Sequence, residues 1–376
     1  MRKVYLDFNA STPIAPEVAE AMRPYLSEHC GNPSSRHWAG EPAREAVENA
    51  RGQVADLLGC SVDEIVFTSG GTESNNHAIK GAYFALHERG NHVITTKIEH
   101  PATVQPCRFL EKLGAEVTYL PVDQTGLVDP DDVRSAITDR TILVTVMHAN
   151  NEVGTIQPIA EIAQITQDRG VLFHTDAAQS VGKISTRVDE LGVDLLSVAG
   201  HKVYAPKGVG ALYIRNGVRL EPCLHGAGHE DGRRAGTENV LLNVALGAAC
   251  ELAGHWIGMT AVRDLRDRFW HMLRDTLGDG VVLNGHPDLR LPNTLNVSFV
   301  ETVGSDILSR LEGVAASTGS ACHEGTVSLS SVLEAMGIPP EVGMGAVRFS
   351  LGRTTSPGDI GYVAERVKEV VVRTAS

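Results

Sequence analysis

The sequence lacks an excess of positive charge and any apolar run long enough to cross a bilayer. Its 33 Lys and Arg residues are outnumbered by 46 Asp and Glu residues, so the formal net charge is −13. A chain with this charge is poorly suited to bind the phosphates of nucleic acids or an anionic membrane surface. We therefore expect no direct nucleic-acid partner and no membrane, and small-molecule chemistry becomes the favoured class of function.

Closely spaced cysteines are also missing. The six cysteines are scattered, and no two of them have the spacing of a zinc-ligand pair or of a disulfide framework. The N-terminal residues include basic side chains but no apolar stretch of signal-peptide length before Asp7. We predict a cytoplasmic protein without a metal site, in which most thiols behave as inert small hydrophobic groups.

The sequence does contain a regular alternation of short β-branched runs with helical patterns. Apolar residues between Ala43 and Leu58 recur close to the helical period, which predicts an amphipathic helix. From Ile65 onward strands and helices alternate, which predicts an α/β fold with a mostly parallel sheet covered on both faces. The predicted strands are Ile65–Phe67, His92–Thr95, Glu116–Leu120, Ile142–Met147, Val171–Phe173, Leu195–Val198 and Gly210–Ile214.

The C-terminal third has a different pattern. A long helical stretch is followed by strands near Asn296–Phe299 and Val347–Leu351, which indicates a second, smaller α/β lobe. No internal repeat, low-complexity tract or Pro-rich linker separates the two parts, so they should pack together. We divide the chain into a large domain over residues 15–255 and a small domain formed by residues 1–14 and 256–376.

A glycine-rich turn follows the first predicted strand of the large domain. In Thr68–Glu73 the pair Gly70-Gly71 leads into a helix, whose free N–H groups and dipole favour an anion such as a phosphate. The stretch lacks the lysine of a P-loop and the spacing of a dinucleotide-binding fingerprint. A plain strand-to-helix turn capped by Thr72 stays open as the alternative.

Two charged residues follow later strands of the same predicted sheet. Asp176 comes after the strand Val171–Phe173, and Lys202 comes after the strand Leu195–Val198. In a parallel sheet both would reach the same edge. Pyridoxal phosphate requires an amine for its Schiff base, a carboxylate beside its pyridine nitrogen and a site for its phosphate. Taken singly, a solvated loop lysine and a helix-capping aspartate remain the alternatives.

With these motifs the sequence resembles the NifS-like pyridoxal-phosphate-dependent cysteine desulfurases, which have the class V aminotransferase fold. The resemblance extends over nearly the whole chain and consists of many separate motifs in one order. It implies a PLP-dependent transferase fold of type I and a homodimer with composite active sites. The matching segments are Tyr5–Asp7, Asn32–Ser35, Thr68–Asn75, Glu99-His100, Asn150–Gly154, Asp176–Lys202, Gly226–Thr237, Ser320–Cys322 and Arg348–Arg353.

The resemblance also implies roles for individual positions. Lys202 would bind the cofactor covalently, and Asp176 would pair with the pyridine nitrogen. His100 matches the histidine that stacks on the pyridine ring and moves protons during the reaction. The other implied positions are Gly71, Thr72 and His201 at the phosphate, Gln179 at the ring hydroxyl with Asn151 beside it near the substrate, and Thr237, which reaches the cofactor of the other subunit.

Arg348 is the candidate for substrate binding. It alternates with apolar neighbours on a predicted strand, where its guanidinium can offer a bidentate fork to an amino-acid carboxylate. The family resemblance implies the same role. An arginine on the exposed face of an edge strand is the alternative, and Arg353 would serve instead if the register differs by a few residues.

Cys322 is the candidate nucleophile. It lies in the stretch 316–325, whose small and polar residues predict an exposed and mobile thiol. It also matches the cysteine that accepts sulfur in the family. The resemblance therefore implies that L-cysteine is converted to L-alanine while the sulfur is held as a persulfide on Cys322 for a sulfur-acceptor protein.

The sequence departs from the family pattern at two places. Ala199 stands where many relatives have a serine that donates to the cofactor phosphate, so one donor is missing. His323-Glu324 differs from the small hydroxyl residues that often follow the cysteine in members of iron–sulfur cluster assembly. The pathway therefore stays open between iron–sulfur cluster assembly and DNA phosphorothioation. Selenocysteine lyase activity, and a non-catalytic docking partner with the same fold, are the alternative functions.

Overall fold

Short strands and helices alternate along most of the chain. The computed structural model describes residues 2–318, 321–323 and 326–374, and the side chains of residues 321–323, 326–327 and 372–374 lie outside this description. In chain order the strands are β1 (Val4–Tyr5), β2 (Ile65–Thr68), β3 (His92–Thr96), β4 (Glu116–Leu120), β5 (Thr141–Thr145), β6 (Leu172–Asp176), β7 (Leu195–Ala199), β8 (Gly210–Ile214), β9 (Val281–Asn284), β10 (Thr294–Phe299), β11 (Val314–Ala315), β12 (Ser317–Thr318), β13 (Ala321–His323), β14 (Thr326–Ser328) and β15 (Ala346–Ser350).

The helices connect these strands and cover the sheets. The α-helices are α1 (Pro16–Met22), α2 (Pro24–Ser27), α3 (Glu41–Leu58), α4 (Gly71–Leu86), α5 (Pro101–Glu111), α6 (Pro130–Ala136), α7 (Ile159–Arg169), α8 (Val188–Leu191), α9 (Val240–Gly254), α10 (Thr260–Leu277), α11 (Gly304–Arg310), α12 (Ser331–Ala335), α13 (Pro340–Gly343) and α14 (Pro357–Thr374). Short 3-10 turns lie at Val62–Glu64, Gly200–Lys202, Glu230–Gly232 and Gly278–Gly280. In the described part of the chain, none of the helices is both long and apolar enough to cross a bilayer.

The central sheet has the strand order β2-β8-β7-β6-β5-β3-β4. Its neighbours run parallel, except that β8 is antiparallel to both β2 and β7. Most of its strands are buried along their whole length, as expected for a sheet covered on both faces. The predicted α/β fold with a mostly parallel sheet is confirmed.

Strand β6 is longer than the sequence predicts. Its polar residue His174 does not end the strand, because both ring nitrogens find partners on neighbouring strands: Thr145 at 2.8 Å and Ser197 at 3.0 Å. A buried polar side chain with satisfied hydrogen bonds is compatible with a sheet interior. Asp176 is therefore the last residue of β6, and its position is set by the sheet.

The C-terminal part of the chain has a sheet of its own, with the antiparallel order β12-β15-β10-β9. Helices α10 and α14 pack together beside it, and Phe269 meets Phe349 edge to face. Strand β1 joins this part by pairing in parallel with β11, Val4 opposite Val314. A separate apolar cluster fills the space around the central sheet. The apolar cluster that contains Phe269 and Phe349 is distinct from the one around the central sheet. The domain division at residues 15 and 255 stays a prediction.

An ion pair inside the protein fixes the segment that leads to Thr237. The Arg51 guanidinium on α3 binds both carboxylate oxygens of Glu230, at 2.6 and 3.1 Å, and Glu230 also accepts the main-chain N–H of Phe67 at 3.0 Å. Glu230 and Asp231 have positive φ angles of 49° and 54°, which are strained for residues with side chains. The ion pair thus holds a strained turn against β2, the edge strand of the central sheet.

We expect Arg51→Met to lower the free energy of unfolding by about 3–5 kcal/mol, because it leaves the Glu230 carboxylate buried without its partner. Urea unfolding followed by circular dichroism measures this change. The control is Arg23→Met, which breaks an exposed pair with Glu20 and should leave the unfolding midpoint unchanged. If Arg51→Met also has an unchanged midpoint, the buried pair does not stabilise the fold.

Candidate active site

A cavity of about 370 Å³ lies at the carboxyl ends of the central strands. This is the edge at which open α/β sheets bind their ligands. Residues that follow β2, β3, β5, β6 and β7 line it, together with one residue of β15. Nine residues that the sequence singled out are brought together there: Gly71, Thr72, His100, Asn151, Asp176, Gln179, His201, Lys202 and Arg348.

Lys202 lies in the 3-10 turn directly after β7. Its ammonium group donates to the main-chain oxygens of Asn9 and, at 2.8 Å, of Ala10. Burial and the positive charge of Arg348, against the opposing effect of Asp7 and Asp176, together lower the pKa of Lys202 to about 8. Lys202 is therefore not a solvated loop lysine, and near neutral pH an appreciable fraction is the nucleophilic neutral amine.

Asp176 lines the same cavity from the end of β6. Its carboxylate accepts hydrogen bonds from Asn75 Nδ2 at 2.6 Å and from the main-chain N–H of Ala178 at 2.9 Å. The side chain is well buried, with the residue only 6% exposed. Two donors on different segments hold the orientation of this carboxylate, which suits it to bind a protonated ring nitrogen.

Helix α4 begins at the cavity, and its first residues Gly71 and Thr72 line the wall. Gly70 occupies the position before the helix, so the alternative in which Thr72 caps the helix is wrong. A Cβ atom on Gly71 would lie 3.2 Å from the methyl group of Ala199 and would crowd the space at the helix start. Glycine at this position leaves room for an anion next to the helix N–H groups.

The two histidines of the site are both held in their neutral form. His100 Nδ1 accepts the main-chain N–H of Ala102 at 3.1 Å, so the proton of the neutral ring is assigned to Nε2. Burial lowers the pKa of His100, with Lys202 acting in the same direction and Asp176 against it. Burial and neighbouring positive charges lower the pKa of His201 to about 4. The His100 ring can therefore donate through Nε2 near neutral pH.

Arg348 lies inside the small sheet, because β15 is paired with both β10 and β12. It is only 8% exposed, so the alternative of an exposed edge-strand arginine is wrong. Its Nη1 donates to the main-chain oxygen of Asn151 at 2.9 Å, and its Nη2 donates to Asp7 at 2.8 Å. Among the described residues Nε has no partner. A buried donor without a partner lowers the stability of the protein, and a hydrogen bond to an acceptor removes this cost.

Arg353, the other arginine considered for the substrate, lies elsewhere. It lines a separate cavity of about 20 Å³, and its guanidinium stacks 3.6 Å from the centre of the Trp256 ring. A cation held over an aromatic face is already stabilised. The structure therefore favours Arg348 as the arginine of the site.

One described site residue, Thr237, is not in the wall of this cavity. Thr237 is exposed and follows the turn that Glu230 anchors. Cys322 lies on β13, opposite Val327 of β14 in a two-stranded antiparallel hairpin. The side chain of Cys322 lies outside the described residues, as do Ser320 and Glu324, so the exposure and mobility of the thiol stay predictions.

Two asparagines of the site were missed in the sequence. Asn75 lies one turn after Gly71 on α4, and this spacing, which puts both on one helix face, is the signal that could have identified it. Asn9 takes part through its main-chain oxygen, which accepts from Lys202 and from Gln179 Nε2, the latter at 3.0 Å. Since every residue has a main-chain oxygen, the sequence contains no signal for this contact. In the described part of the chain no group of three acidic, histidine or cysteine side chains is placed to hold a metal ion.

We expect the amine of Lys202 in the cofactor-free protein to react with an amine-specific reagent with a pH midpoint near 8 rather than the ordinary 10.5. Peptide mass spectrometry over a pH series measures the rate of modification. Arg348→Gln should move the midpoint upward, because a neighbouring positive charge is removed. Arg353→Gln, whose charge is stacked on Trp256, is the control and should not move it. If Arg348→Gln leaves the pH midpoint of Lys202 modification unchanged, this account of the site is wrong.

Comparison with known proteins identifies the family. Residues 4–363 match the family model described as Aminotransferase class-V. A protein named cysteine desulfurase IscS from Dictyoglomus turgidum (strain DSM 6724 / Z-1310) is 50% identical over 381 residues, which cover 100% of this chain and 96% of that protein. A solved structure of a NifS-like protein is 36% identical with a TM-score of 0.93, covering 99% of this chain and 100% of that one.

A second solved structure, described as SspA in complex with cysteine, is 39% identical with a TM-score of 0.83 and covers 92% of this chain and 98% of that one. Both the family model and the relatives thus extend over nearly the whole chain, including all the elements that line the cavity. The chain belongs to the class-V aminotransferase family, which depends on pyridoxal phosphate, and within it to the cysteine desulfurases.

Proposed function

We propose that the chain is a pyridoxal-phosphate-dependent cysteine desulfurase, which converts L-cysteine to L-alanine and keeps the sulfur as a persulfide on Cys322. One observation carries the proposal: Lys202, Asp176 and the start of α4 surround a single cavity of about 370 Å³. The similar proteins named cysteine desulfurase and the SspA structure with cysteine support the choice of substrate.

The residues present suit this cofactor. A phosphate fits the start of α4, where Gly71 leaves open the volume that a Cβ would occupy 3.2 Å from Ala199. Thr72, which lines the same cavity as Ala199, offers a hydroxyl where Ala199 replaces the serine of many relatives. The oriented carboxylate of Asp176 suits a protonated pyridine nitrogen, and Lys202 supplies the amine.

Three residues of the cavity act on the substrate. When bound, pyridoxal phosphate withdraws electrons from the substrate and thereby weakens its Cα–H and Cβ–S bonds. Lys202, whose pKa is lowered to about 8, takes the proton from Cα. His100 moves a proton through Nε2. Arg348, which lines the cavity, binds the substrate carboxylate through its positive charge.

The sulfur atom passes from the substrate to Cys322. The Cys322 thiolate attacks the substrate sulfur, so the Cβ–S bond breaks, an S–S bond forms and Cβ gains a proton in place of sulfur. L-cysteine and an enzyme thiol thus give L-alanine and an enzyme persulfide, and no external oxidant is needed. A sulfur-acceptor protein then takes the terminal sulfur. The likeness to the IscS proteins favours iron–sulfur cluster assembly as its pathway, in the cytoplasm, where thiols stay reduced.

We expect Cys322→Ser to keep the visible absorbance of the bound cofactor and to change that absorbance when L-cysteine binds. Formation of L-alanine should fall roughly a hundredfold or more, because the sulfur has lost its acceptor. Amino-acid analysis of the reaction mixture measures this loss. Cys30→Ser, which removes an exposed thiol elsewhere, is the matched control and should react like the unmodified chain.

Parallel reactions with L-selenocysteine distinguish the alternatives. If Cys322→Ser forms L-alanine from L-cysteine at a near-normal rate, the persulfide mechanism is wrong. If the variant keeps activity with selenocysteine alone, selenocysteine lyase becomes the better description. If the unmodified chain takes up no cofactor that borohydride reduction fixes to Lys202, the chain is a non-catalytic docking partner with the same fold.

The protein is also proposed to act as a homodimer in which Thr237 completes the site of the other subunit. Thr237 is exposed and lies outside the cavity of its own chain, although the family resemblance assigns it to the cofactor. Thr237 follows the strained turn that the Arg51–Glu230 ion pair holds, and its side chain is exposed in the single chain. A contribution from a symmetric second copy reconciles the exposure of Thr237 with a role at the cofactor.

We expect Thr237→Ala to weaken the affinity for pyridoxal phosphate about tenfold through the loss of a hydrogen bond to a charged group. Mixing Thr237→Ala chains with Lys202→Ala chains should restore high-affinity binding, because hybrid dimers contain one site with both native residues. Titration of cofactor-free protein measures the affinity, and sedimentation measures the dimer. A monomer of full activity, or mixing without restoration, would contradict the composite site.

A further inference from the structure

A second lysine is buried next to the site, and it has no role in the proposed reaction. Lys183 is only 5% exposed, and its Nζ donates to the main-chain oxygen of Gln179 at 2.9 Å and to Gln179 Oε1 at 3.1 Å. No described carboxylate is hydrogen bonded to this amine. The charged groups that act on it are the positive Lys202 and Arg348, which together with burial lower the pKa of Lys183 to about 7.

The contact with Lys183 determines which way the Gln179 amide faces. The ammonium form of Lys183 can only donate, so the amide oxygen of Gln179 is the atom turned toward Lys183. Its nitrogen is thereby turned the other way, where Nε2 donates to the main-chain oxygen of Asn9 at 3.0 Å. Nε2 has two N–H groups, and the second remains available in the cavity that Gln179 lines.

A free glutamine amide has no such preference. Its oxygen and nitrogen ends have nearly the same shape, and only the surrounding donors and acceptors decide between the two orientations. If the amide turned over, Oε1 would lie against the carbonyl of Asn9 and an acceptor would replace a donor in the cavity. The Asn9 carbonyl and the buried Lys183 amine therefore act together to keep a donor at this position.

We propose that Lys183 is a positioning residue, which fixes the Gln179 amide so that an N–H donor is presented to an anionic oxygen of the ligand in the cavity. The inference rests on the proposed function, in which this oxygen belongs to the ring of pyridoxal phosphate. Lys183 does not touch that ligand in this account and acts on it only through Gln179.

The test replaces Lys183 by methionine, which has similar length and volume but no donor. We expect the affinity of the cofactor-free protein for pyridoxal phosphate to fall roughly tenfold. The pH midpoint of the absorbance change of the bound cofactor should move upward by about one unit, because the anionic ring oxygen has lost a stabilising donor. Lys207→Met, which removes an exposed lysine charge near the site, is the matched control and should change neither quantity.

A double-variant cycle separates positioning from the charge of Lys183 itself. In a Gln179→Ala background, Lys183→Met should cause no further shift of the pH midpoint, since the amide through which it acts is gone. An equal shift in both backgrounds would show a direct effect of charge and overturn the proposal. If Gln179→Ala alone has the same pH midpoint as the unmodified protein, the proposal is also wrong. This measurement can be made even if Lys183→Met does not fold.

The same experiment distinguishes this inference from the proposed function. If the unmodified protein binds pyridoxal phosphate but Lys183→Met has the same affinity and pH midpoint, only the role of Lys183 is wrong. If the unmodified protein shows no absorbance of bound cofactor, the proposed function fails first. Thermal unfolding of the cofactor-free variants shows whether a loss of affinity comes from a loss of fold.

Discussion

The hydrogen bonds of Asn9 connect three parts of the molecule at one buried point. This residue is 1% exposed, so each of its polar groups needs a partner inside the protein. Its main-chain N–H donates to Ser350 on β15, its side chain bonds Asn293 and Thr294 beside and on β10, and its main-chain oxygen accepts from Lys202. The N-terminal segment, the small sheet and the turn after β7 can satisfy these groups only in one relative placement. The geometry of the cavity depends on that placement.

The local charge of the cavity is opposite to the charge of the whole chain. The formal net charge is −13, yet among the described residues the cavity is lined by the cationic Lys202 and Arg348 and by one carboxylate, that of Asp176. Burial, and after it the repulsion between the cationic groups, lowers the pKa values of Lys183 and Lys202. An anionic ligand relieves this repulsion, so binding of phosphate and carboxylate groups is favoured by the local field even though the surface as a whole repels them.

The central sheet could be predicted from the sequence because its β-branched runs are contiguous and its turns carry glycine. The C-terminal end of β6 could not be predicted from the sequence, because His174 is stabilised by Ser197 and Thr145 on other strands. In the site, the turn at Gly71 is a local pattern and was predicted from its own residues. The role of Lys183 was not predicted, because a lysine four residues after a glutamine is common on solvated surfaces. Its burial follows only from the packing of distant segments.

The pairing of β1 with β11 determines the order in which the molecule can be completed. Val4 is synthesised long before its partner Val314. The central sheet, whose strands end at Ile214, can form long before then. The segment with Asn9 and Ala10 contacts Lys202 in the turn after β7, and the C-terminal part adds a second attachment through β11 and Ser350. A nascent chain can therefore have a folded large sheet while the N-terminal side of the pocket still lacks the support of β11 and β15.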